Sequence, residues 1–306
     1  MSGEKRGLGT SVPGETDAKC EEDAFADSLS PSATPLSILA IGDTTRREFR
    51  EARACLGKWG SVADFSDPDS AAAGLAQNRI SPDLLVVAQA FPGQFSHETI
   101  DRLRRLAPLA RLLGLMGSWC EGEMRSGSPW PATLRTYWHQ WPACGNRQLR
   151  RLAMGQSCSW ALPLTASDEE RLLADAKSSS ACQGSIVIRS HSREMADCLS
   201  AACRRHGLVP IWQHDAAAVR VEGATAAIFE CVDLCDDERD AMQRFADATR
   251  PAPLIALLSF PRIEDRDRAA STGASAVLSK PLVLEDLIET IDQFIVPERH
   301  NHAQQK

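Results

Sequence analysis

Residues 253–295 read PLIALLSFPRIEDRDRAASTGASAVLSKPLVLEDLIETIDQFI, and this stretch decides the fold. Its apolar run at 254–258 predicts a strand, and the next stretch predicts a helix over 262–272 that ends at Gly273. A second strand at 276–278 leads into Ser279-Lys280-Pro281, and the last helix repeats apolar residues with a period near 3.6. Apolar strands that alternate with helices indicate a parallel sheet covered on both faces.

The same alternation extends upstream of this stretch. Further strands are predicted at 186–188, 208–212 and 226–229. Helices are predicted from the N-cap Ser192 to His206, over a short stretch from Asp215, and over 238–249. Five strands alternating with five helices predict a doubly wound α/β domain of flavodoxin-like type over residues 183–297.

A weaker copy of this order occupies the first half of the chain. It has predicted strands at 36–41, 62–65, 84–88, 112–116 and 136–141, and predicted helices at 46–59, 71–78 and 97–106. We therefore predict two doubly wound five-stranded parallel-sheet domains, at 36–152 and 183–297, with a linker at 153–182. Residues 1–35 have almost no large apolar side chains and are predicted to be a disordered tail, and 298–306 form a C-terminal tail.

The segment 185–295 resembles the receiver domain of two-component response regulators, most specifically over 264–286. Lys280 stands at the position of that family's lysine, and Pro281 follows it as the family expects. The resemblance implies a phosphorylated aspartate at the end of the third strand and two acids after the first strand that hold Mg²⁺. It also implies a hydroxyl residue after the fourth strand.

Those chemical positions are largely altered in this sequence. Glu230 stands at the phosphorylated position, and Arg189 and Ser190 stand at the acidic pair. Leu258 stands at the hydroxyl position, or Ser259 if one residue is deleted. Mg²⁺ is a hard cation that needs oxygen ligands, so we predict no normal metal site and no modification by acetyl phosphate.

Two interpretations remain for Glu230. It can imitate the charge of a modified aspartate, or it can pair with Lys280 or Arg189 across the pocket. We favour the structural ion pair.

The first predicted domain resembles the family more weakly, through its strand order and the approach to its third strand. Ala88 occupies the phosphorylated position, which excludes aspartyl chemistry there. Gly42 and Asp43 stand at the acidic pair, and Asp43 is expected to cap the helix that begins near Thr45. This half is predicted to be chemically inert as a receiver.

A Trp-rich and Cys-rich segment at 117–144 replaces the expected fourth helix. One hypothesis is a partner surface formed by Trp119, Trp130, Trp138, Trp141 and Arg125, and an equal alternative is that the tryptophans are core residues. Cys120, His139 and Cys144 are of suitable ligand types for Zn²⁺, but their spacing matches no zinc motif, so no metal is expected.

Composition sets the remaining expectations for this chain. It has 306 residues, a net charge of −7 and ten cysteines with no Cys-x-x-Cys pair, which favours buried thiols in a reducing compartment. No signal peptide or run of ~20 apolar residues is present, so a cytoplasmic protein without membrane contact is expected. The acidic balance argues against nucleic acid as a partner, although nine arginines lie within 101–151.

These features predict a non-enzymatic signalling adaptor without a cofactor. Its expected partners are a histidine kinase or another signalling protein. A homodimer is also expected. It would form through the face made by 262–270 and 283–295, which the resemblance implies is an association surface. The rival hypothesis is a ligand or metal sensor that uses 117–144 or the crevice at the strand ends.

Overall fold

The computed structural model describes residues 34–78, 81–131, 133–176, 182–214 and 219–295. In these ranges two five-stranded sheets follow one another along the chain, and their strands pair in parallel throughout. The predicted tails lie outside the described residues except for 34 and 35, and the start of the short helix predicted at Asp215 also lies outside them.

The first sheet has the order β2-β1-β3-β4-β5. Its strands are β1 (Leu36–Ile41), β2 (Gly60–Phe65), β3 (Leu84–Gln89), β4 (Arg111–Met116) and β5 (Leu134–Tyr137). The helices that accompany it are α1 (Arg50–Trp59), α2 (Pro68–Asn78), α3 (His97–Leu106), α4 (Glu123–Ser126) and α5 (Asn146–Ala153). A further helix, α6 (Asp168–Asp175), lies within the predicted linker, where Ser167 and Glu170 form a capping box at its start.

The second sheet has the order β10-β9-β8-β6-β7. Its strands are β6 (Ser185–Arg189), β7 (Val209–Gln213), β8 (Ala224–Glu230), β9 (Leu254–Ser259) and β10 (Ala274–Lys280). Its helices are α7 (Arg193–Arg205), α8 (Asp236–Thr249), α9 (Ile263–Ser271) and α10 (Leu284–Ile295). Numbered within each half, both sheets follow the 2-1-3-4-5 order of flavodoxin-like folds, which confirms the predicted fold class.

Each sheet is buried on both faces because its central strands are apolar on both sides. In the first half one core includes α1 and α5, and the opposite core includes α2 and α3. In the second half α7 and α10 cover one face, while α8 and α9 cover the other. Among the described helices, none is both long and apolar enough to cross a membrane.

The end of the first sheet differs from the prediction of a strand over 136–141. The strand β5 ends at Tyr137, and the chain continues through a 3-10 turn and a π-helical turn into α5. Pro142 cannot donate a ladder hydrogen bond, which disfavours a longer strand. Trp138 and Trp141, three residues apart, then share one face of the helical segment and both enter the core.

Candidate functional site

Three polar side chains converge at the carboxyl edge of the second sheet. Glu230, the last residue of β8, receives a hydrogen bond from the Nζ of Lys280 at 3.0 Å through Oε1 and one from the Oγ of Ser190 at 2.5 Å through Oε2. Lys280 also donates to the carbonyl of Cys231 at 2.8 Å. Both carboxylate oxygens of the buried Glu230 therefore have partners within the protein.

The strand register explains why these side chains meet. In the second sheet Glu230 pairs with Leu257, and Lys280 pairs with Ser259. Successive strand residues point to opposite faces, so Glu230 shares the face of Ile228. The ends of β6, β8 and β10 thus form the small polar network that we call the Ser190–Glu230–Lys280 network.

The other residues predicted for this pocket are placed differently. The side chain of Leu258 is buried in the core with α8, so it does not occupy the hydroxyl position. Ser259 lies beside Lys280 in the register and is exposed, which corresponds to the alternative with one residue deleted. Arg189 is buried, and its guanidinium donates to the carbonyl of Gln213 at 3.5 Å.

The first half has an apolar counterpart of this network. The equivalent positions follow from the strand pairing in the two sheets. In the first sheet Ala40 pairs with Val86, and Ala88 pairs with Leu115. The matching pairs in the second sheet are Ile188 with Ile228 and Glu230 with Leu257. By this pairing Gly42 corresponds to Ser190, Ala88 corresponds to Glu230, and Trp138 corresponds to Lys280. A glycine, an alanine and a buried indole replace the hydrogen-bonded triad.

This correspondence corrects the sequence alignment of the two halves by one residue. The sequence alone predicts that Gly42 is equivalent to Arg189, but the sheet register makes Ile41 equivalent to Arg189. Asp43 also acts differently from the prediction, because its Oδ1 accepts from the backbone N–H of Thr45 at 3.2 Å within a turn. Asp43 therefore caps this turn, and α1 begins only after the 3-10 turn at Arg47–Phe49.

The tryptophans of segment 117–144 are mainly core residues. Trp130, Trp138 and Trp141 are 4%, 1% and 0% exposed, whereas Trp119 is 70% exposed. Trp138 and Trp141 pack in the core with α1, and the indole N–H of Trp130 donates to the carbonyl of Phe95 at 3.1 Å. The predicted partner surface is therefore corrected to the exposed Trp119 and Arg125.

Trp119 lies at the boundary between the two halves. The guanidinium carbon of Arg262, from the second half, lies 6.0 Å from the centre of its ring, which is typical of a cation–π contact. Trp119, Arg262 and Arg46 also line a cavity of about 550 Å³ that both halves form. We call this feature the Trp119 cleft.

The residues considered for zinc in segment 117–144 have other roles. Within the described part of the chain, Cys120, His139 and Cys144 do not converge at metal-ligand distances. His139 contacts Glu121 at 3.1 Å, and Cys120 lies 3.4 Å from the carbonyl of Gln89. Burial raises the pKa of Cys120 to about 11 and that of Cys144 to about 12, so both remain thiols at neutral pH.

The two halves pack directly against each other within one compact unit. The side chain of Ile263 in α9 packs on the first-half core, and Ala143 belongs to the second-half core. Arg147 donates to Asp286 at 2.6 Å, and both side chains are more than nine-tenths buried. Further ion pairs between the halves are Arg150 with Glu289 at 3.0 Å, Arg47 with Asp267, and Arg266 with Glu51.

These contacts cover part of the face predicted for homodimerisation. The prediction of an association surface at 262–270 and 283–295 is corrected for 283–295, because α5 and the turns before it lie against α10. The acids Asp286 and Glu289, which are typical of a solvated helix face, are buried in this contact. Asp286 and Glu289 are therefore unavailable to a partner while the halves remain packed, whereas Arg262, Glu264 and Val283 on the same face are exposed.

The crevice predicted at the strand ends is present in the first half as an open depression. Residues after β1 and β2 line it, including Gly42, Asp43 and Ser66, and its volume is about 1040 Å³. Arg53 in this depression pairs with Asp64 at 2.7 Å.

No protein-family model and no curated protein match the chain. Among solved structures, it is similar to the receiver domain of a Francisella response regulator, with 12% identity over 37% of this chain and 96% of that chain and a TM-score of 0.33. A receiver protein from Pseudoalteromonas atlantica has 19% identity over 36% and 96%, with a TM-score of 0.32. A CheY-like receiver domain protein from Methanospirillum hungatei has 18% identity over 37% and 94%, with a TM-score of 0.33. At these identities the similarity concerns the fold alone.

Proposed function

We propose that this chain is a non-enzymatic signalling adaptor built from two receiver-like halves that have lost phosphoryl chemistry. The observation that carries the proposal is the Ser190–Glu230–Lys280 network. In this network, the side chains that correspond to a receiver's phosphorylation site form hydrogen bonds with one another. The proposal includes a cytoplasmic location and protein partners, such as a histidine kinase or another signalling protein.

The network disfavours phosphoryl transfer for an electrostatic reason. Transfer to a carboxylate requires cations that neutralise the charge developing on the phosphoryl oxygens. Arg189 and Ser190 supply no carboxylate for Mg²⁺, and the ammonium group of Lys280 is already 3.0 Å from Glu230. A nucleophilic attack by Glu230 would also have to break this buried ion pair.

The first half supports the same proposal by a different route. Ala88 has no nucleophile, and the indole of Trp138 fills the position that corresponds to Lys280. Ala88 and Trp138 contribute to the core with α1 and α5. We infer that this half acts as a packing partner for the second half and as one wall of the Trp119 cleft.

The Trp119 cleft is the partner surface that we propose. Tryptophan and arginine are the residues most enriched among interface hot spots, and the cleft combines an exposed indole with Arg262 beside it. Its position at the boundary makes partner binding sensitive to how the two halves pack. In this proposal the adaptor responds to its partner through a change in how the two halves pack.

Affinity capture with the intact chain tests the proposal. The bait proteins are the wild type, Trp119→Ala, and the matched control Leu109→Ala, whose side chain is also exposed but lies in the turn before β4. We expect the wild type and the control to retain the same partner, and Trp119→Ala to lose it with its thermal unfolding unchanged. Equal capture by all three proteins contradicts the proposed surface.

A further inference from the structure

Cys182, His206 and Asp292 bring three metal-ligating side chains together, away from the network and the cleft described above. One ligand atom from each residue lies within 4.8 Å of the other two. The group combines a thiol sulfur, an imidazole nitrogen and a carboxylate oxygen. The residues are far apart in sequence, so only the folded chain assembles them.

The backbone holds Cys182 and His206 against each other. His206 is the C-cap residue of α7, and its carbonyl accepts the backbone N–H of Cys182 at 2.9 Å. Gly207 follows with a φ of +90°, and a Cβ there would lie 2.4 Å from the carbonyl oxygen of Cys182. Glycine at this position therefore permits both the left-handed helix end and the close approach of Cys182.

The third residue comes from the last helix of the second half. Asp292 in α10 lies with its Oδ1 2.6 Å from the Nε2 of His206, whose side chain is buried. His206 also lines a cavity of about 370 Å³ together with Arg147 and Arg205. The cavity therefore reaches the side chain of His206.

We propose that Cys182, His206 and Asp292 form a zinc site. Thiolate, imidazole and carboxylate are the side chains that Zn²⁺ binds in proteins, at about 2.0–2.3 Å, which places tetrahedral ligand atoms ~3.3–3.8 Å apart. The observed separations reach that range through side-chain adjustments of about 1 Å or less. Three protein ligands leave the fourth position of a tetrahedral Zn²⁺ ion for water.

The charges of this set also suit a divalent cation. Bound as a thiolate, a neutral imidazole and a carboxylate, the ligands carry two negative charges, which Zn²⁺ neutralises. Binding releases the thiol proton to solvent, and the metal replaces the hydrogen bond between Nε2 and Oδ1. The ion would connect the segment before β6 to α7 and α10, and this site is independent of the proposed adaptor function.

Metal titration of the intact protein tests the zinc site. The protein is stripped with a chelator and titrated with Zn²⁺ in competition with a chromophoric chelator. In parallel, Co²⁺ is added to detect sulfur-to-metal charge transfer. The variants are Cys182→Ser and Asp292→Asn. The matched control is Cys198→Ser, because Cys198 is exposed on α7, the helix that ends at His206.

We expect the wild type and Cys198→Ser to bind one Zn²⁺ per chain. Cys182→Ser loses the charge-transfer band and binds Zn²⁺ more than about 100-fold more weakly, since loss of a supporting contact alone weakens metal affinity by about 10–100-fold. Asp292→Asn weakens Zn²⁺ binding but keeps the sulfur-to-metal charge-transfer band. Circular dichroism verifies that each variant is folded. No stoichiometric binding by the wild type, or equal binding by Cys182→Ser, overturns the proposal.

Discussion

Replacing Arg147 with methionine tests the buried contact between the two halves. Methionine keeps an apolar chain in place of the arginine stem but removes the guanidinium that lies 2.6 Å from Asp286. Breaking a buried ion pair by removing one partner typically costs about 3–5 kcal/mol of unfolding free energy. We expect a loss of this size at pH 8, where Asp286 is ionised in the wild type.

The pKa of Asp286 determines how the loss varies with pH. Burial raises this pKa to about 6, with Arg147 opposing the rise, from an ordinary value of 3.8. The folded wild type therefore holds this proton more tightly than the unfolded chain. The resulting contribution to stability, about 3 kcal/mol from the shift, is complete below the unfolded pKa and is lost as pH rises through the folded pKa.

At pH 5 the carboxyl group of the wild type is already mainly protonated, so Arg147→Met removes only a hydrogen bond there, worth about 1 kcal/mol. Removing the guanidinium raises the pKa of Asp286 further, so the variant continues to lose stability above pH 6 while the wild type does not. Urea unfolding at pH 5 and pH 8 measures both values. A loss that is equal at the two pH values, or absent at pH 8, refutes a buried charged pair.

The double variant Arg147→Met with Asp286→Leu serves as the control. We expect it to recover most of the stability, because well-packed apolar residues often replace a buried ion pair without loss.

The remaining predictions concern the tryptophans and the altered pocket. Trp138→Ala removes a fully buried indole and is expected to lower the unfolding free energy by about 3–5 kcal/mol in urea denaturation. Trp119→Ala is expected to change the unfolding free energy by less than about 0.5 kcal/mol. Similar losses in the two variants would show that Trp119 also supports the fold. Lys280→Met leaves the buried carboxylate of Glu230 without its cation, so it is expected to lower the unfolding free energy by about 3–5 kcal/mol in urea denaturation. An unchanged unfolding free energy would contradict the ion pair. Glu230→Asp introduces the residue type that receivers phosphorylate, but we expect no Mg²⁺-dependent phosphorylation by mass spectrometry, because Arg189 and Ser190 still supply no carboxylate. A phosphorylated aspartate in this variant would show that Arg189 and Ser190 do not block the chemistry.

The sheet architecture could be predicted from the sequence because it depends on local patterns. Apolar runs such as 84–88 mark buried strands, and Ser192 and Gly207 mark the two ends of α7. The predicted helix over 97–106 matches α3 in both bounds. Each of these signals lies within a few residues of the element that it specifies.

Features that depend on packing between distant segments could not be predicted in the same way. Trp119 and Trp138 are the same residue type in one segment, yet Trp119 is exposed in the turn after β4 and Trp138 is buried in the turn after β5. Asp286 has the sequence context of a surface acid, and only the approach of Arg147 from the other half places it in the interior. The alignment error at Gly42 has the same origin, since strand register is set by pairing with β3.

Incubation of the intact protein with a small phosphoryl donor and Mg²⁺, followed by intact-mass spectrometry, tests the central claim most directly. The Ser190–Glu230–Lys280 network predicts that the mass of the protein does not change, with or without Mg²⁺. A stoichiometric, Mg²⁺-dependent gain of one phosphoryl group that maps to Glu230 would contradict it.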